Sequence, residues 1–280
     1  DSALTAEQKA AMTFTVTGPD GYSETIHYSD FTDGKYTFQN LPLGEYTVTE
    51  TKESAEIVGY DLTTTYSVDS GKVNVKNKET SKVTVTNNYT TITVNVNGAK
   101  TWSGDDSQKD SRPDSITVNL LANGKQVANK TVTEADNWKY SFTNLPKYEN
   151  GKEIVYTVTE ESVENYSTTI NGYNITNSYT PGKTSVTVTK AWVDNDNKGN
   201  KRPSEIKVQL YAGEQASGSP VTLNEANKWT YTWTGLDEKK GGATIAYTVK
   251  EAVTADGYEA SVSGDARTGY TITNTLKSGT

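Results

Sequence analysis

The stretch Val186 to Trp192, which reads V-T-V-T-K-A-W, constrains the fold of this chain more than any other. A β-strand turns successive side chains to opposite faces, so the two valines, Lys190 and Trp192 share one face and the threonines share the other. The apolar face of such a strand packs on the core. Lys190 is therefore predicted to lie in an apolar interior, where an ammonium group is costly unless it has a partner or loses its proton.

Two later strands bring a carboxyl and a carboxamide group to the same interior. The alternation in Y-T-V-K-E places Glu251 on the apolar face of its strand, and that in Y-T-I-T-N-T-L does the same for Asn274. A neutral lysine amine can attack the asparagine side-chain carbonyl while the carboxylic acid polarises it and transfers protons. Burial favours these protonation states because it lowers a lysine pKa and raises a glutamate pKa. We predict that ammonia leaves and an amide joins Lys190 to Asn274, with Glu251 as the catalytic acid.

The same three groups occur earlier in the chain, in the same order. Lys100, Glu160 and Asn177 stand in V-N-V-N-G-A-K-T-W, Y-T-V-T-E and Y-N-I-T-N-S-Y. Trp102 and Trp192, which follow the two lysines, are 90 residues apart. This length corresponds to one sandwich domain, whereas solenoid repeats are roughly 20–50 residues long. A second crosslink is predicted between Lys100 and Asn177, with Glu160 as its catalytic acid.

The sequence predicts an all-β chain of three tandem β-sandwich domains. Tyrosine, threonine and valine are plentiful, and turn motifs such as G-P-D-G separate short alternating segments. We place the domains at residues 1–90, 91–180 and 181–280 and call them the first, second and third repeat. Because the connections between them are very short, we expect an end-to-end rod. Ala3 to Ala11 is the only predicted short helix, and K-Y-T-F-Q-N-L, beginning at Lys35, is predicted to be a strand.

Composition argues against several other classes of function. A net charge of -8 disfavours nucleic acid and anionic membranes as partners. The absence of cysteine removes disulfides, thiol nucleophiles and cysteine-based metal sites. His27 is the only histidine and is interpreted as a surface strand residue, so we predict no metal site and no cofactor. No apolar run is long enough to span a bilayer, and without a signal peptide or anchor the chain is interpreted as a fragment of a longer protein.

Five motifs recur in the second and third repeats: V-x-V-x-K-x-W, R-P-x-x-I-x-V-x-L, W-x-Y-x-(F or W)-x-x-L, Y-T-V-x-E and a terminal I-T-N. Together they resemble the B-type repeat of the Gram-positive collagen adhesin, a family whose relatives form pilin shafts and adhesin stalks. Residues 1–90 match only in part and are closer to pilin-like members. The resemblance implies Ig-like sandwiches of inverse topology, sortase anchoring to the cell wall, and isopeptide bonds between first and last strands. It assigns the amines, acceptors and acids to the residues already found: Lys100, Lys190, Asn177, Asn274, Glu160 and Glu251.

The first repeat departs from this pattern. Glu50 and Asn87 have the inward parity, but in the other repeats the lysine lies 15 residues before the next strand. Counting 15 residues back from Thr13 passes the first residue of the sequence, and the nearest lysine, Lys9, falls in the predicted helix. We predict that this repeat lacks its first strand, has no bond of its own, and retains Glu50 and Asn87 as an incomplete triad. A lysine-bearing strand from elsewhere could complete it.

These features predict a rigid spacer in the stalk of a cell-wall-anchored adhesin or pilin-like protein, located on the bacterial surface. Its partners would be the neighbouring domains of the same protein. The alternative is a module that binds a host extracellular protein or glycan, which an exposed apolar patch would favour. Because the self-crosslinking occurs once per site, the chain is not predicted to be an enzyme.

One loop is similar to a calcium site. D-N-D-N-K-G-N begins at Asp194, and Glu205 lies eleven residues further on, in the spacing of a calcium loop. Lys198 stands where a ligand oxygen is required. We interpret the segment as a solvated turn.

Overall fold

Short strands follow one another along the whole chain, and the predicted all-β fold is confirmed. The computed structural model describes residues 4–106, 109–240 and 243–277. Clustering of contacts separates two compact units. One comprises the residues up to Thr93 together with Pro146–Glu153, and the other comprises Val94–Leu145 and the residues from Ile154 onward.

The described part of the first repeat, from residue 4 onward, contains six strands in two sheets. They are β1 (Thr13–Thr17), β2 (Ser23–His27), β3 (Gly44–Glu50), β4 (Tyr60–Tyr66), β5 (Lys72–Val75) and β6 (Val85–Thr91). One sheet has the order β2-β1-β3-β5, and the other consists of β4 and β6 alone. Met12, Phe14, Ile26 and Ala55 form the buried core of this repeat.

Two short helices accompany these strands, α1 (Ala6–Ala10) and α2 (Lys52–Ala55). The predicted helix is confirmed over α1; residue 3 lies outside the described residues. Thr5 and Gln8 cap α1 reciprocally, each side chain accepting a hydrogen bond from the other's backbone N–H. The prediction of a single short helix was wrong, because α2 also forms and buries Ala55 against the core.

The second repeat is a β-sandwich. Its strands are β7 (Thr93–Ser103), β8 (Ser115–Ala122), β9 (Lys125–Thr133), β10 (Lys139–Pro146), β11 (Tyr148–Glu149), β12 (Lys152–Glu153), β13 (Tyr156–Glu160), β14 (Tyr166–Asn171) and β15 (Asn174–Tyr179). A sheet of order β10-β7-β15-β14 faces a sheet of order β13-β8-β9. Val96 and Ile175 from the first sheet meet Val118, Leu120 and Val158 from the second in one buried core.

The third repeat has the same arrangement. Its strands are β16 (Lys183–Val193), β17 (Glu205–Ala212), β18 (Gln215–Asn224), β19 (Thr230–Asp237), β20 (Lys239–Lys240), β21 (Ala243–Thr244), β22 (Tyr247–Glu251), β23 (Tyr258–Asp265) and β24 (Gly269–Leu276). The two facing sheets have the orders β19-β16-β24-β23 and β18-β17-β22. The W-T-Y-T-W stretch supplies Trp233 to the core, as predicted for a core strand.

First and last strands lie side by side in the second and third repeats. Strand β7 pairs in parallel with β15, and β16 pairs in parallel with β24. The register places Lys100 opposite Ile175 and Lys190 opposite Ile272. Each lysine therefore lies one pleat away from the asparagine two residues further along its neighbour, on the same face of the sheet.

Glycine is required at one position of β7. A Cβ atom at Gly98 would lie 2.1 Å from the carbonyl oxygen of Tyr173 and 2.4 Å from the ring of Tyr140. Neighbouring chain segments therefore approach β7 closely at this position, which only a residue without a side chain permits.

One predicted strand of the first repeat does not form. Residues 36–39 contain no regular strand, and only an isolated bridge joins Thr32 to Lys35. The matching sequence of the second repeat is strand β10, which pairs with β7. A strand needs a neighbour to satisfy its backbone groups, and the described part of the first repeat has no counterpart of β7.

Candidate functional sites

The predicted triad of the second repeat comes together in the sandwich interior. Lys100 and Glu160 form a buried ion pair through Nζ and Oε1. The same Oε1 accepts a hydrogen bond from Nδ2 of Asn177 at 3.3 Å. The other carboxylate oxygen accepts one from Oγ1 of Thr168 at 2.9 Å. One oxygen of Glu160 thus contacts both the amine and the carboxamide nitrogen.

The Lys100 amine is buried beside an aromatic ring, and this burial favours its neutral form. Its Nζ lies 4.1 Å from the ring centre of Trp102. Burial lowers the pKa of Lys100 to about 8, although the charge and hydrogen bond of Glu160 oppose this shift. A larger fraction of neutral amine is therefore available near neutral pH than on a surface lysine.

The third repeat brings its triad together less completely. Asn274, fully buried, donates from Nδ2 to Oε1 of Glu251 at 3.0 Å. The amine of Lys190 donates to the carbonyl oxygens of Ala191 at 2.8 Å and Ile272 at 3.4 Å. Lys190 and Glu251 are not within ion-pair distance. Of the three predicted side chains, Glu251 and Asn274 therefore contact each other directly, whereas Lys190 is bound to backbone carbonyl groups.

The amine of Lys190 is nonetheless buried beside an aromatic ring. Its Nζ lies 4.0 Å from the ring centre of Trp192, and the residue is 2% exposed. Burial lowers the pKa of Lys190 to about 7; the charge of Glu251 opposes this shift and that of Arg202 adds to it. Of the two predicted nucleophiles, Lys190 has the greater tendency to be neutral at physiological pH.

A threonine that the sequence analysis missed distinguishes the two sites. Thr168 lies opposite Asn177 in the pairing of β14 with β15 and binds Glu160. The matching position in the third repeat is Ala260. Accordingly, one buried carboxylate oxygen of Glu251 has no hydrogen-bond partner among the described residues. Strand register, which could not be read from one sequence, was needed to find this contact.

A second feature that the sequence analysis missed lies beside Trp102 in the second repeat and beside Trp192 in the third. Asp105 binds Arg112 through two hydrogen bonds of 2.6 Å, and the guanidinium lies 5.5 Å from the ring of Trp102. The hydroxyl of Tyr166 also donates to Asp105. The hydrogen bonds from Arg112 are the main reason that the pKa of Asp105 falls to about 2.

The third repeat reproduces this arrangement and gives the suspected calcium loop another role. The Asp194 carboxylate accepts hydrogen bonds from Arg202, Tyr258 and the backbone of Asn197. Arg202 lies 5.2 Å from the ring of Trp192. The signal in the sequence was an arginine in the R-P motif ten residues after Trp102 and again ten residues after Trp192.

The first repeat holds a carboxylate and a carboxamide without a lysine. Asn87 donates from Nδ2 to Oε1 of Glu50 at 2.6 Å, and Thr64 donates to Oδ1 of Asn87 at 2.8 Å. The sulfur of Met12 lies 4.0 Å from Nδ2 of Asn87. Lys9 lies in α1, as predicted. Burial raises the pKa of Glu50, while its hydrogen bonds to Asn87 and Thr64 oppose this.

His27, the remaining predicted surface residue, lies exposed at the end of β2. Its Nδ1 is 3.8 Å from a carboxylate oxygen of Asp30, and both side chains are more than half exposed. Among the described residues, no group of three or more histidine, cysteine, aspartate or glutamate side chains is arranged to hold a metal ion.

We expect an uncrosslinked Asn274→Ala variant to become more stable as pH rises from about 7 toward 10. The folded pKa of Lys190 is about 7 and the unfolded value is 10.5. Between these values only the unfolded chain binds the lysine proton, so the free energy of unfolding rises by about 1.4 kcal/mol per pH unit. Urea titrations at several pH values measure this slope. The control is the same variant with Lys190→Met added. An equal slope in the two variants would show that Lys190 is not the source of the pH dependence.

Comparison with known proteins identifies the family. The profile of the Cna protein B-type domain matches residues 96–178 and 186–275. The chain belongs to this family. Residues 2–90 match a different profile, described as a domain of unknown function, DUF5979. The resemblance inferred from the motifs is thus confirmed for the second and third repeats.

A collagen adhesin of Staphylococcus aureus is 44% identical over 251 residues, which cover 87% of this chain. The chain spans only 21% of the length of that relative. This relative is named an adhesin, which agrees with the prediction that the chain is not an enzyme.

Solved structures of a collagen-binding protein of Staphylococcus aureus show the same fold. A single B repeat unit of the Staphylococcus aureus collagen-binding surface protein aligns with a TM-score of 0.64 and 50% identity, covering 66% of this chain and all of that one. A structure of two B repeat units aligns with a TM-score of 0.71 and 38% identity, covering 96% of this chain and 70% of that one.

The described residues contain no helix both long and apolar enough to cross a membrane.

Proposed function

We propose that this chain is a structural spacer in the stalk of a cell-wall-anchored bacterial adhesin, made rigid by two self-formed isopeptide bonds. The bonds join Lys100 to Asn177 and Lys190 to Asn274. Support for this proposal comes chiefly from one observation: Oε1 of Glu160 contacts both the amine that would attack and the nitrogen that would leave.

The contacts of Glu160 suggest the course of the reaction. The neutral amine of Lys100 attacks Cγ of Asn177, and a bond forms between Nζ and Cγ. Glu160 accepts a proton from the attacking nitrogen and transfers it to Nδ2. The bond between Cγ and Nδ2 then breaks, and ammonia leaves. An amine and a carboxamide become a secondary amide and ammonia, with no oxidant, metal or cofactor consumed.

Burial and fixed geometry make the proposed reaction feasible in the folded chain only. Lys100 and Glu160 have no exposed side-chain surface, and Asn177 is fully buried. Because the fold holds the two groups together, the reaction needs no encounter between separate reactants. This fixed proximity can lower the activation barrier by about 7 kcal/mol or more. In the unfolded chain neither the proximity nor the shifted lysine pKa exists.

The parallel pairing of first and last strands suits a load-bearing role. A force on the two ends of the third repeat enters at the start of β16 and leaves at the end of β24. Lys190 and Asn274 lie on these two strands. A covalent link between them would carry the force directly and spare the hydrogen-bonded sheets.

We propose three domains, at residues 1–90, 91–180 and 181–280. The two family matches, 96–178 and 186–275, fall within the last two ranges. Each of these ranges also contains a complete set of two facing sheets. Neighbouring domains of the parent protein are the proposed partners, and the outer face of the bacterial cell wall is the proposed location.

A ligand-binding role is the second candidate because the relative is named a collagen adhesin. The exposed large hydrophobic side chains of the described residues are distributed along the sequence of all three repeats and in both strands and loops, which is typical of an ordinary surface rather than a binding patch. They are Tyr36, Leu43, Val58, Val127, Val155, Val193, Tyr231, Val253 and Val262.

We therefore expect no saturable binding of the purified chain to immobilised collagen. Surface plasmon resonance against fibrillar and monomeric collagen measures this, with a known collagen-binding protein as the positive control. Saturable binding that survives physiological salt would favour the binding module over the spacer.

A further inference from the structure

The edge strand of the second repeat packs against the third repeat. Strand β14 is the last strand in the sheet of order β10-β7-β15-β14, and it contacts β16 and β19 of the third repeat. Ser167 and Thr168 of β14 are both buried. On the side away from β15, a buried edge of this kind needs partners for its backbone N–H and C=O groups.

Ser185 of the third repeat supplies these partners to Thr168. Its Oγ accepts a hydrogen bond from the backbone N–H of Thr168 at 2.6 Å and donates one to the Thr168 carbonyl oxygen at 3.3 Å. The hydroxyl oxygens of Ser185 and Ser167 are 3.2 Å apart. Ser167 also accepts a hydrogen bond from the backbone N–H of Gly235 at 2.7 Å. Two strands of the third repeat, β16 and β19, thus hold the backbone of β14 around Thr168.

A bulge in the third repeat brings these groups to the edge of β14. In the pairing of β16 with β19, Ser185 lies opposite two residues, Thr234 and Gly235. Gly235 has a φ of +64°, which glycine adopts at little cost. In the second repeat the residue five positions before the lysine is Asn95, which accepts a hydrogen bond from the backbone N–H of Asn144 in its own repeat at 3.0 Å. The matching hydroxyl of the third repeat binds its neighbour instead.

Thr168 in turn orients the carboxyl group of Glu160. Its Oγ1 donates to Oε2 of Glu160 at 2.9 Å, while the other carboxylate oxygen, Oε1, contacts Lys100 and Asn177. The last torsion of a glutamate side chain has only broad minima, so a bond to Oε2 restricts where Oε1 points. A threonine is stiff at χ1, so its hydroxyl follows the backbone that carries it. The position of Oε1 therefore depends on the segment of β14 that Ser185 holds.

The third repeat has no such contact at its own site. Ala260 occupies the position of Thr168, and one carboxylate oxygen of Glu251 has no hydrogen-bond partner among the described residues. Ser185 lies on the same strand as Lys190 but five residues before it, so the two side chains are on opposite faces. Any effect of the Ser185 hydroxyl on crosslinking should therefore occur in the second repeat, not in the repeat that contains it.

We propose that Ser185 of the third repeat is a positioning residue for the crosslinking reaction of the second repeat. It acts through Thr168, whose hydroxyl orients the carboxyl group of Glu160 toward the reacting amine and carboxamide. The second repeat then reacts at its full rate only when the third repeat is packed against β14.

This inference rests on the proposed function, because it concerns the same reaction. Nζ of Lys100 bonds to Cγ of Asn177, Glu160 transfers a proton from Nζ to Nδ2, and the Cγ–Nδ2 bond breaks with release of ammonia. Ser185 and Thr168 exchange no atoms or protons with the reacting groups. Their contribution is to the geometry of the proton transfer.

The test follows both bonds in the full chain as it folds. The chain is made by cell-free synthesis, translation is stopped, and samples are denatured at intervals. Proteolysis and mass spectrometry then give the crosslinked fraction of the second and third repeats separately. Ser185→Ala should slow the bond of the second repeat roughly tenfold, because small displacements of catalytic groups are costly to the rate. The bond of the third repeat should form at its wild-type rate.

Two further variants separate the loss of this hydroxyl from damage to the contact between the repeats. Ser185→Thr keeps a hydroxyl at the same position and should restore a rate close to that of the wild-type chain. Ser162→Ala removes a different hydroxyl between the same two repeats, one that donates to the carbonyl oxygen of Arg267 at 3.3 Å. It should leave both rates unchanged.

A double-mutant cycle tests whether Ser185 acts through Thr168. Thr168→Val removes the hydroxyl that binds Glu160 and should slow the bond of the second repeat at least as much as Ser185→Ala does. Adding Ser185→Ala to Thr168→Val should slow it no further, because the two residues act in series. Effects that multiply in the double variant would overturn the inference.

The bond of the third repeat in the same molecule distinguishes the remaining outcomes. If Ser185→Ala leaves the rate of the second repeat unchanged, slows both bonds equally, or is not rescued by Ser185→Thr, the positioning role is overturned while the crosslinks themselves stand. A wild-type chain that loses no ammonia from the second repeat would contradict the proposed function there, and this inference would be wrong with it.

Discussion

Glu251→Ala should leave the third repeat without its crosslink and lower its free energy of unfolding by about 4–5 kcal/mol. The predicted bond closes a loop from Lys190 to Asn274, 84 residues along the chain. Treated like a disulfide, closing such a loop stabilises mainly by restricting the unfolded chain, to about this extent. For a domain of this size, each kcal/mol shifts the melting temperature by about 4 °C or more, so a fall of roughly 20 °C is expected.

Differential scanning calorimetry of the wild-type chain, Glu251→Ala and Asn274→Ala measures this effect. Both variants should lower the melting temperature of the same transition, because either change prevents the bond. Glu259→Ala replaces an exposed glutamate of the same repeat and serves as the matched control. Equal melting temperatures for Glu251→Ala and the control would contradict a stabilising crosslink.

The second large effect is mechanical. When the wild-type chain is pulled from its ends, the second and third repeats should not lengthen, because the force passes through the two amide bonds. Glu251→Ala should release the residues between Lys190 and Asn274. Since an extended chain spans about 3.3–3.6 Å per residue, this adds roughly 280–300 Å of contour length.

Single-molecule force spectroscopy measures these extensions directly. The first repeat, predicted to carry no bond of its own, provides an internal reference because it should unfold in every molecule. Glu160→Ala should add a corresponding event from the second repeat, while the exposed-site control Glu164→Ala should not. If the wild-type chain and Glu251→Ala show unfolding events of the same number and length, the third repeat has no covalent bond between Lys190 and Asn274.

Strand parity alone predicted which side chains enter the interior. A period of two is a local property of the backbone, so Lys100 and Lys190 could be assigned to the apolar face without knowledge of their neighbours. The structure buries both lysines next to a tryptophan ring. The same reasoning placed Glu160 and Asn177 in contact with each other.

Features that depend on register or on distant neighbours could not be predicted in this way. Whether Thr168 or Ala260 lies opposite the asparagine depends on how two strands align. The hydrogen bonds of Lys190 to backbone carbonyls depend on rotamers within the packed core. The stretch beginning at Lys35 has a clear strand pattern, yet it forms no regular strand because its neighbour is absent from the described residues.

The intact mass of the purified, denatured chain tests the central claim most directly. We predict that the wild-type chain is lighter than its sequence by two molecules of ammonia. Glu160→Ala and Glu251→Ala should each restore one of them, and the double variant should have its full mass. A wild-type chain of full mass would contradict the crosslinked stalk and leave Lys100 and Lys190 as buried lysines with non-covalent partners.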